Sequence, residues 1–254
     1  MAQTKARVES VLIPAVTFVG LVAAWELADA MLGFNKVILP APHEIAGAFV
    51  TNWESLLHNT GLTMLEAVLG FLLGSAVAVA LAISFTFSKT LSYAVYPYAV
   101  ALKSTPLIAI APLLILWFGN GILSKVVMSA LVAFFPVMVN TVDGLGSVEP
   151  ELLDLMRSLS ASRWQILRKI QMPNTLPPLF SALKIASSLA VVGAVIGEFT
   201  GATAGIGHLI TTSSYYLATD VMFAGVVMIS LSGVAFFWLI TILERRVVFW
   251  QRPR

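Results

Sequence analysis

Six long apolar segments, each with at most two charged residues, recur along this chain and fix most of what it can fold into. They fall at about 11–32, 61–85, 91–118, 122–142, 176–199 and 221–243. A helix needs roughly 20 apolar residues to cross the hydrocarbon core of a bilayer. The chain is 58% hydrophobic and 11% charged, with a mean hydropathy of +0.90. Soluble domains carry about 25% charged residues. The reading is an all-α integral membrane protein with six transmembrane helices and no soluble domain. It has no cysteine, which excludes a disulfide, an iron–sulfur cluster and a thiolate metal site. In the first segment Ala28-Asp29-Ala30 resembles a signal-peptide cleavage site. The apolar pattern runs on through Met31 and Leu32, which favours a retained anchor.

Proline shapes the third segment. One straight helix over 91–118 would hold 28 residues (118 − 91 + 1), about 42 Å at 1.5 Å per residue. The hydrocarbon core is only about 30 Å thick. Pro97, Pro106 and Pro112 interrupt the segment, so a bent or broken helix is expected. Pro136 predicts a kink in the fourth. The polar connection 33–60 suggests a short surface helix near 44–57. The Gly/Ser/Thr-rich stretch 201–219 suggests an outer loop with room for another.

One polar stretch stands apart from the greasy background. Residues 149–173 hold Arg157, Arg163, Arg168 and Lys169, the densest basic cluster in the chain. Leu152, Leu155, Met156 and Leu159 recur at i, i+3, i+4 and i+7, the period of one helix face. Pro150 suits a first helical turn, and Asp154 and Arg157 are spaced to pair. Ser162 and Gln165 have capping-box spacing, which starts a second helix after a break at Ser160-Ala161-Ser162. Pro173, followed by Pro177 and Pro178, is expected to stop it. The stretch reads as an amphipathic helical hairpin standing out of the membrane.

Charge distribution orients the chain. With six spans, one side holds Lys5, Arg7, Lys89, Arg157, Arg163, Arg168, Lys169, Arg245, Arg246, Arg252 and Arg254. The other holds Lys36 and Lys125, and Lys103 and Lys184 fall within spans, which accounts for all 15 basic residues. Basic residues concentrate on the cytoplasmic side, so the hairpin and both termini are expected there.

The hairpin resembles the cytoplasmic "EAA" loop of bacterial ABC importer permeases. Asp154, Leu155 and Met156 stand at E-A-A, Ser160 at the following Gly, and Ile170, Met172 and Pro173 at I, L and P. The spacings hold, and four identities depart conservatively. Further stretches are similar to one permease subfamily: Gly61 to Phe71, Thr105-Pro106 through Gly119, Phe134-Phe135-Pro136, and Gly197-Glu198-Phe199 with Gly205-Ile-Gly207. That subfamily imports nitrate, sulfonates and taurine, or thiamine-type pyrimidine and riboflavin precursors. The likeness covers about residues 10 to 250.

The resemblance implies a type I (MetI-like) importer fold in a bacterial inner membrane. It implies a pore of two permease chains, a homodimer, and two ABC ATP-binding subunits that bind ATP and Mg. An extracytoplasmic solute-binding protein would deliver the substrate. Asp154, Leu155, Met156, Arg157, Ser160, Ala161, Ile170 and Pro173 would form the contact with the ATPase. Serine at position 160 suggests a turn that does not demand positive φ.

The residues themselves offer no covalent chemistry. No G-x-x-x-x-G-K-[ST] loop is present, so ATP hydrolysis falls to a partner. Gly205-x-Gly207 lacks the third glycine of a dinucleotide fingerprint and reads as a flexible turn. His43, His58 and His208 lack a second ligand at helical spacing, so no metal is assigned. Nothing points to nucleic acid. A charge within a span usually faces a partner or a water-filled path. Candidates for a translocation path are Lys103 and Thr105 at the expected break, Lys184 with Ser187 and Ser188 on one helix face, and Glu198 near a span end. Glu66 is also intramembrane. The alternative for each lysine is snorkelling to the interface. Gly70-x-x-x-Gly74 and the Ala182, Ala186, Ala190, Ala194 stripe permit close helix contact. Lys103 and Lys184 suit a small anion such as nitrate, a sulfonate or taurine; a pyrimidine or flavin precursor is the alternative. An ion-coupled secondary transporter would need no ATPase, and an intramembrane enzyme would need paired catalytic groups, which the sequence lacks.

Overall fold

The structure is a computed structural model that describes residues 2–103 and 105–251. Among these, all regular structure is helical: α1 (Ala2–Leu32), α2 (Pro42–Thr51), α3 (Trp53–Phe87), α4 (Lys89–Lys103), α5 (Leu107–Phe118), α6 (Ile122–Gly146), α7 (Pro150–Ser158), α8 (Arg163–Ile166), α9 (Met172–Phe199), α10 (Ile206–Tyr215) and α11 (Thr219–Val247). Among the described residues, five helical stretches are long and apolar enough to cross a membrane. The segment 91–118 is divided: α4 ends at Lys103 and α5 starts at Leu107, with Pro106 at the N-cap. Proline disfavours helical geometry in the residue before it and cannot donate to the preceding turn.

The chain forms two compact units, Met1–Leu57 with Leu209–Met228, and His58–His208 with Ile229–Arg254. In the first, the 33–60 connection does not form one helix near 44–57. It forms α2 and then the start of α3, which opens at Trp53 and runs 35 residues. Pro42 occupies the first turn of α2, and the Glu44 carboxylate accepts the Ala41 N–H at 3.1 Å. Lys36 pairs with Glu44, and this hydrogen bond holds the Glu44 carboxyl below its ordinary value. His43 Nδ1 lies 2.6 Å from Glu26, and Trp25 meets Phe223 edge-on.

The second unit is built around α6. Residues from Ser124 to Leu145 line its buried faces, and α9 packs along it. Small residues make that contact possible. A Cβ on Gly70 or Gly74 of α3 would overlap Ser129 or the Ala130 carbonyl, and one on Gly193 of α9 would meet the Ser129 Cα at 2.8 Å. Ala182, Ala186, Ala190 and Ala194 are buried. The Ser129 hydroxyl, at the centre, donates to the Ala190 carbonyl at 2.9 Å. Both small-residue stripes therefore serve packing within the chain.

Pro136 lies inside α6, which continues through it; Asn140 Nδ2 donates back to the Pro136 carbonyl at 2.8 Å. Three other prolines depart from expectation. Pro173 does not stop its helix, nor do Pro177 and Pro178. The chain winds continuously from Arg163 to Phe199 through a π-helical turn at Leu167–Gln171. Widening one turn to i→i+5 frees the carbonyls that a proline ring would otherwise strike, so a proline can follow it.

Candidate docking hairpin and buried polar clasp

The hairpin forms as α7, a tight turn and α8. Arg157 donates to Asp154 at 2.8 Å. Ser162 accepts the Gln165 N–H at 3.3 Å while Gln165 accepts the Ser162 N–H at 2.7 Å, a reciprocal capping box. The turn corrects one expectation: Ser160 has φ +56°. The Ala161 N–H donates to the Met156 carbonyl at 3.0 Å, and the Ser160 N–H to that of Arg157 at 2.9 Å. This is a Schellman termination of α7, which places residue 160 in the left-handed region where glycine is favoured. Glycine at this position in the EAA pattern thus answers a backbone demand that serine meets under strain.

No residue of α7 is buried. Leu155 is 55% exposed, Leu159 68% and Trp164, on α8, 59%, so an apolar face stands uncovered on a polar hairpin. Arg157 and Asp154 are exposed, Met156, Ala161, Ile170 and Pro173 half-buried. The base of the hairpin is tied down: Leu167 is buried, Gln171 Nε2 donates to the Leu145 carbonyl at 3.1 Å, and Asn174 Nδ2 donates to Ser147 Oγ at 2.9 Å.

The path candidates scatter. Lys184 Nζ sits 2.9 Å from Glu244 of α11, a half-buried ion pair within the protein. Ser187 is buried and donates to the Lys184 carbonyl at 2.8 Å, whereas Ser188 is half-buried. Thr105 is exposed at the helix break. The Lys103 side chain lies outside the described residues.

Glu198 joins a set of groups the sequence did not bring together. It is 1% exposed. Thr63 of α3 donates to its Oε1 at 2.6 Å, and the Gly207 N–H to its Oε2 at 2.5 Å. The same Thr63 oxygen accepts the Ile206 N–H at 2.8 Å, and Asn59 accepts the Gly205 N–H at 2.9 Å. Glu66, one turn along α3 from Thr63, faces Glu198. Gly205-Ile-Gly207 is therefore no flexible turn. A Cβ on Gly205, whose φ is +107°, would overlap the Glu198 carboxyl, and one on Gly207 would lie 2.8 Å from Oε2. Lys125, counted with the outer side at the start of the fourth span, is buried in the first turn of α6. Its Nζ donates to the Asn120 carbonyl at 2.6 Å and to Oδ1 at 3.0 Å. The Asn120 amide in turn donates to the Gly201 carbonyl. The one available signal was indirect: two glycines stand seven and nine residues beyond a membrane-embedded glutamate.

Residues 70–249 match the family "Binding-protein-dependent transport system inner membrane component". The chain belongs to this family. Among its relatives, the permease is 34% identical to "Riboflavin transport system permease protein RibX" of Chloroflexus aurantiacus, over 93% of this chain and 89% of the relative. It is 33% identical to "Formylaminopyrimidine transport permease protein ThiX" of Halalkalibacterium halodurans, over 95% and 96%. It is 30% identical to "Putative aliphatic sulfonates transport permease protein SsuC" of Bacillus subtilis, over 96% and 87%. Its fold is similar to that of a solved amino acid ABC transporter, with a TM-score of 0.63 at 18% identity over 78% of this chain and 97% of that one. A solved MetNI methionine ABC transporter gives 0.60 at 21% identity, over 79% and 95%. The permease is thus an all-helical ABC importer subunit of MetI-like fold, an inner membrane component of a binding-protein-dependent transport system.

Proposed function

We propose that the permease is the transmembrane half of an ATP-driven importer in which two copies form the pore and each hairpin, 149–173, seats in a cleft of one ATPase subunit. The observation that carries this is the uncovered apolar face of α7 on a rigidly based hairpin. Leu155 and Leu159 project from a helix with no buried residue, while the base is locked to α6 by Gln171 and Asn174. A rigid lever with an apolar tip suits the transmission of ATPase closure to the spans. ATP and Mg belong to the partner, and the permease supplies two conformations whose balance its partners shift. The basic bias supports a cytoplasmic hairpin and cytoplasmic termini.

For the substrate, a small heterocyclic precursor of the riboflavin or pyrimidine kind is favoured over a sulfonate-type anion. The anion reading leaned on Lys103 and Lys184, and Lys184 is engaged by Glu244. The relatives named for riboflavin and formylaminopyrimidine share 34% and 33% identity, against 30% for that named for sulfonates.

The test is Ala161→Trp, which enlarges the hairpin turn outside every span. ATPase co-purification and substrate-stimulated ATP hydrolysis in liposomes should both fall at least about tenfold, with insertion and dimer formation unchanged. Full coupling would remove the hairpin from the mechanism. Mass spectrometry of the solute carried by the partner binding protein decides the substrate class: a heterocycle supports the reading, and a sulfonate or nitrate reverses it.

A further inference from the structure

Where α3 gives way to α4, the chain turns back at the membrane boundary beside the hairpin. A groove of about 530 Å³ opens there. Lys89 lines it from the α3–α4 turn and Arg157, Ala161 and Arg163 from around the hairpin turn, together with Gln171 and the apolar Phe87 and Ile166. Among its described lining residues three are cationic and none is acidic. Asp154 pairs with Arg157 from outside the lining. No ion pair among the described residues engages Lys89 or Arg163. The nearest partner of Arg163 is the Phe87 carbonyl, at 3.5 Å. Two unneutralised cations thus converge on a groove with an apolar wall.

The setting selects what can fill it. Trp164 stacks on Phe87 with centroids 6.2 Å apart and stays 59% exposed. Tryptophan exposed at a span end marks the headgroup level of a bilayer. The groove lies between the end of one span and the start of another, where basic pockets hold phosphate headgroups and the adjoining apolar surface takes the acyl chains. A free phosphate would use the cations and leave the apolar wall idle.

We infer that this groove binds the phosphate headgroup of an anionic phospholipid, held by Lys89 and Arg163, with Arg157 shared between lipid and Asp154. The bound lipid would brace the hairpin against the α3–α4 turn. This goes beyond the ATPase-docking reading: Leu155 and Leu159, the apolar face offered to the ATPase, do not line the groove, although Arg157 and Ala161 do.

The experiment is native mass spectrometry of the full chain, alone and with its ATPase, from nanodiscs of phosphatidylcholine with and without phosphatidylglycerol. The wild type should retain phosphatidylglycerol and not phosphatidylcholine. Lys89→Gln with Arg163→Gln should cut the retained adduct at least about tenfold, since each cation near the surface contributes independently to lipid attraction. Both side chains are exposed, so the melting temperature should not change; single Lys89→Gln, with a smaller loss, serves as the check if it does. Equal retention by wild type and variants, or equal retention of the two lipids, overturns the inference. Displacement by millimolar inorganic phosphate assigns the groove to a free anion, and loss of the adduct on ATPase binding assigns it to the protein partner; either result overturns it too. Loss of ATPase binding in Leu155→Asp, whose side chain is 55% exposed and does not line the groove, with the lipid adduct intact separates the two sites.

Discussion

The two ends of the fifth span treat polar groups in opposite ways. α9 is about 42 Å long at 1.5 Å per residue, from Met172 to Phe199. At its far end Glu198 is 1% exposed, and its oxygens are met by Thr63 and Gly207. At its near end the hairpin leaves Leu155 and Leu159 uncovered and basic side chains at the surface. Polar groups saturated inside the chain hold an element in place. Apolar and charged groups left open are available to something else. One helix therefore joins an anchored end to an open one.

The largest effect should come from breaking the anchored end. Gly205→Val puts a branched side chain at φ +107° against the Glu198 carboxyl. Overpacking and left-handed strain together should cost roughly 3 kcal/mol or more. Thermal unfolding in detergent should show a large fall in melting temperature and loss of folded yield, where the same change at an open hairpin site would be silent.

Next comes the pair that the structure sets between these ends. Lys184→Ala leaves Glu244 half-buried without its partner and should destabilise by about 1–2 kcal/mol. Adding Glu244→Ala should recover most of the loss, as expected for interacting neighbours. If stability is unchanged but transport collapses in the single variant, Lys184 serves the path and not the pairing.

The smallest effect should be a gain. Ser160→Gly relieves the left-handed residue that ends α7, which should stabilise the hairpin by about 1 kcal/mol. Native hydrogen exchange across 150–162 should slow slightly while ATPase binding stays intact.

These contrasts also show what could be read in the sequence. Local features were legible because neighbours in sequence decide them: the Asp154–Arg157 pair, the Ser162–Gln165 capping box and the proline break before Leu107. The Schellman turn was missed because serine hides a conformation that glycine would advertise. The helix through Pro173 was missed because a π turn accommodates a residue that normally ends a helix. The clasp joins Thr63 to Glu198 and Asn59 to Gly205 across well over a hundred residues, and one sequence carries no signal for such pairing. Lys184 looked like a path residue because its partner, Glu244, sits in the last span.

The central claim is that the hairpin end meets the ATPase and the clasp end does not. The chain has no cysteine, so single thiols report cleanly. Ala161→Cys at the hairpin turn and Thr203→Cys on the exposed loop beyond Glu198 can each carry a short photocrosslinker in membranes that contain the ATPase. The account predicts a permease–ATPase adduct from position 161 and none from 203. An adduct from 203, or none from 161 in a transport-competent complex, would contradict it.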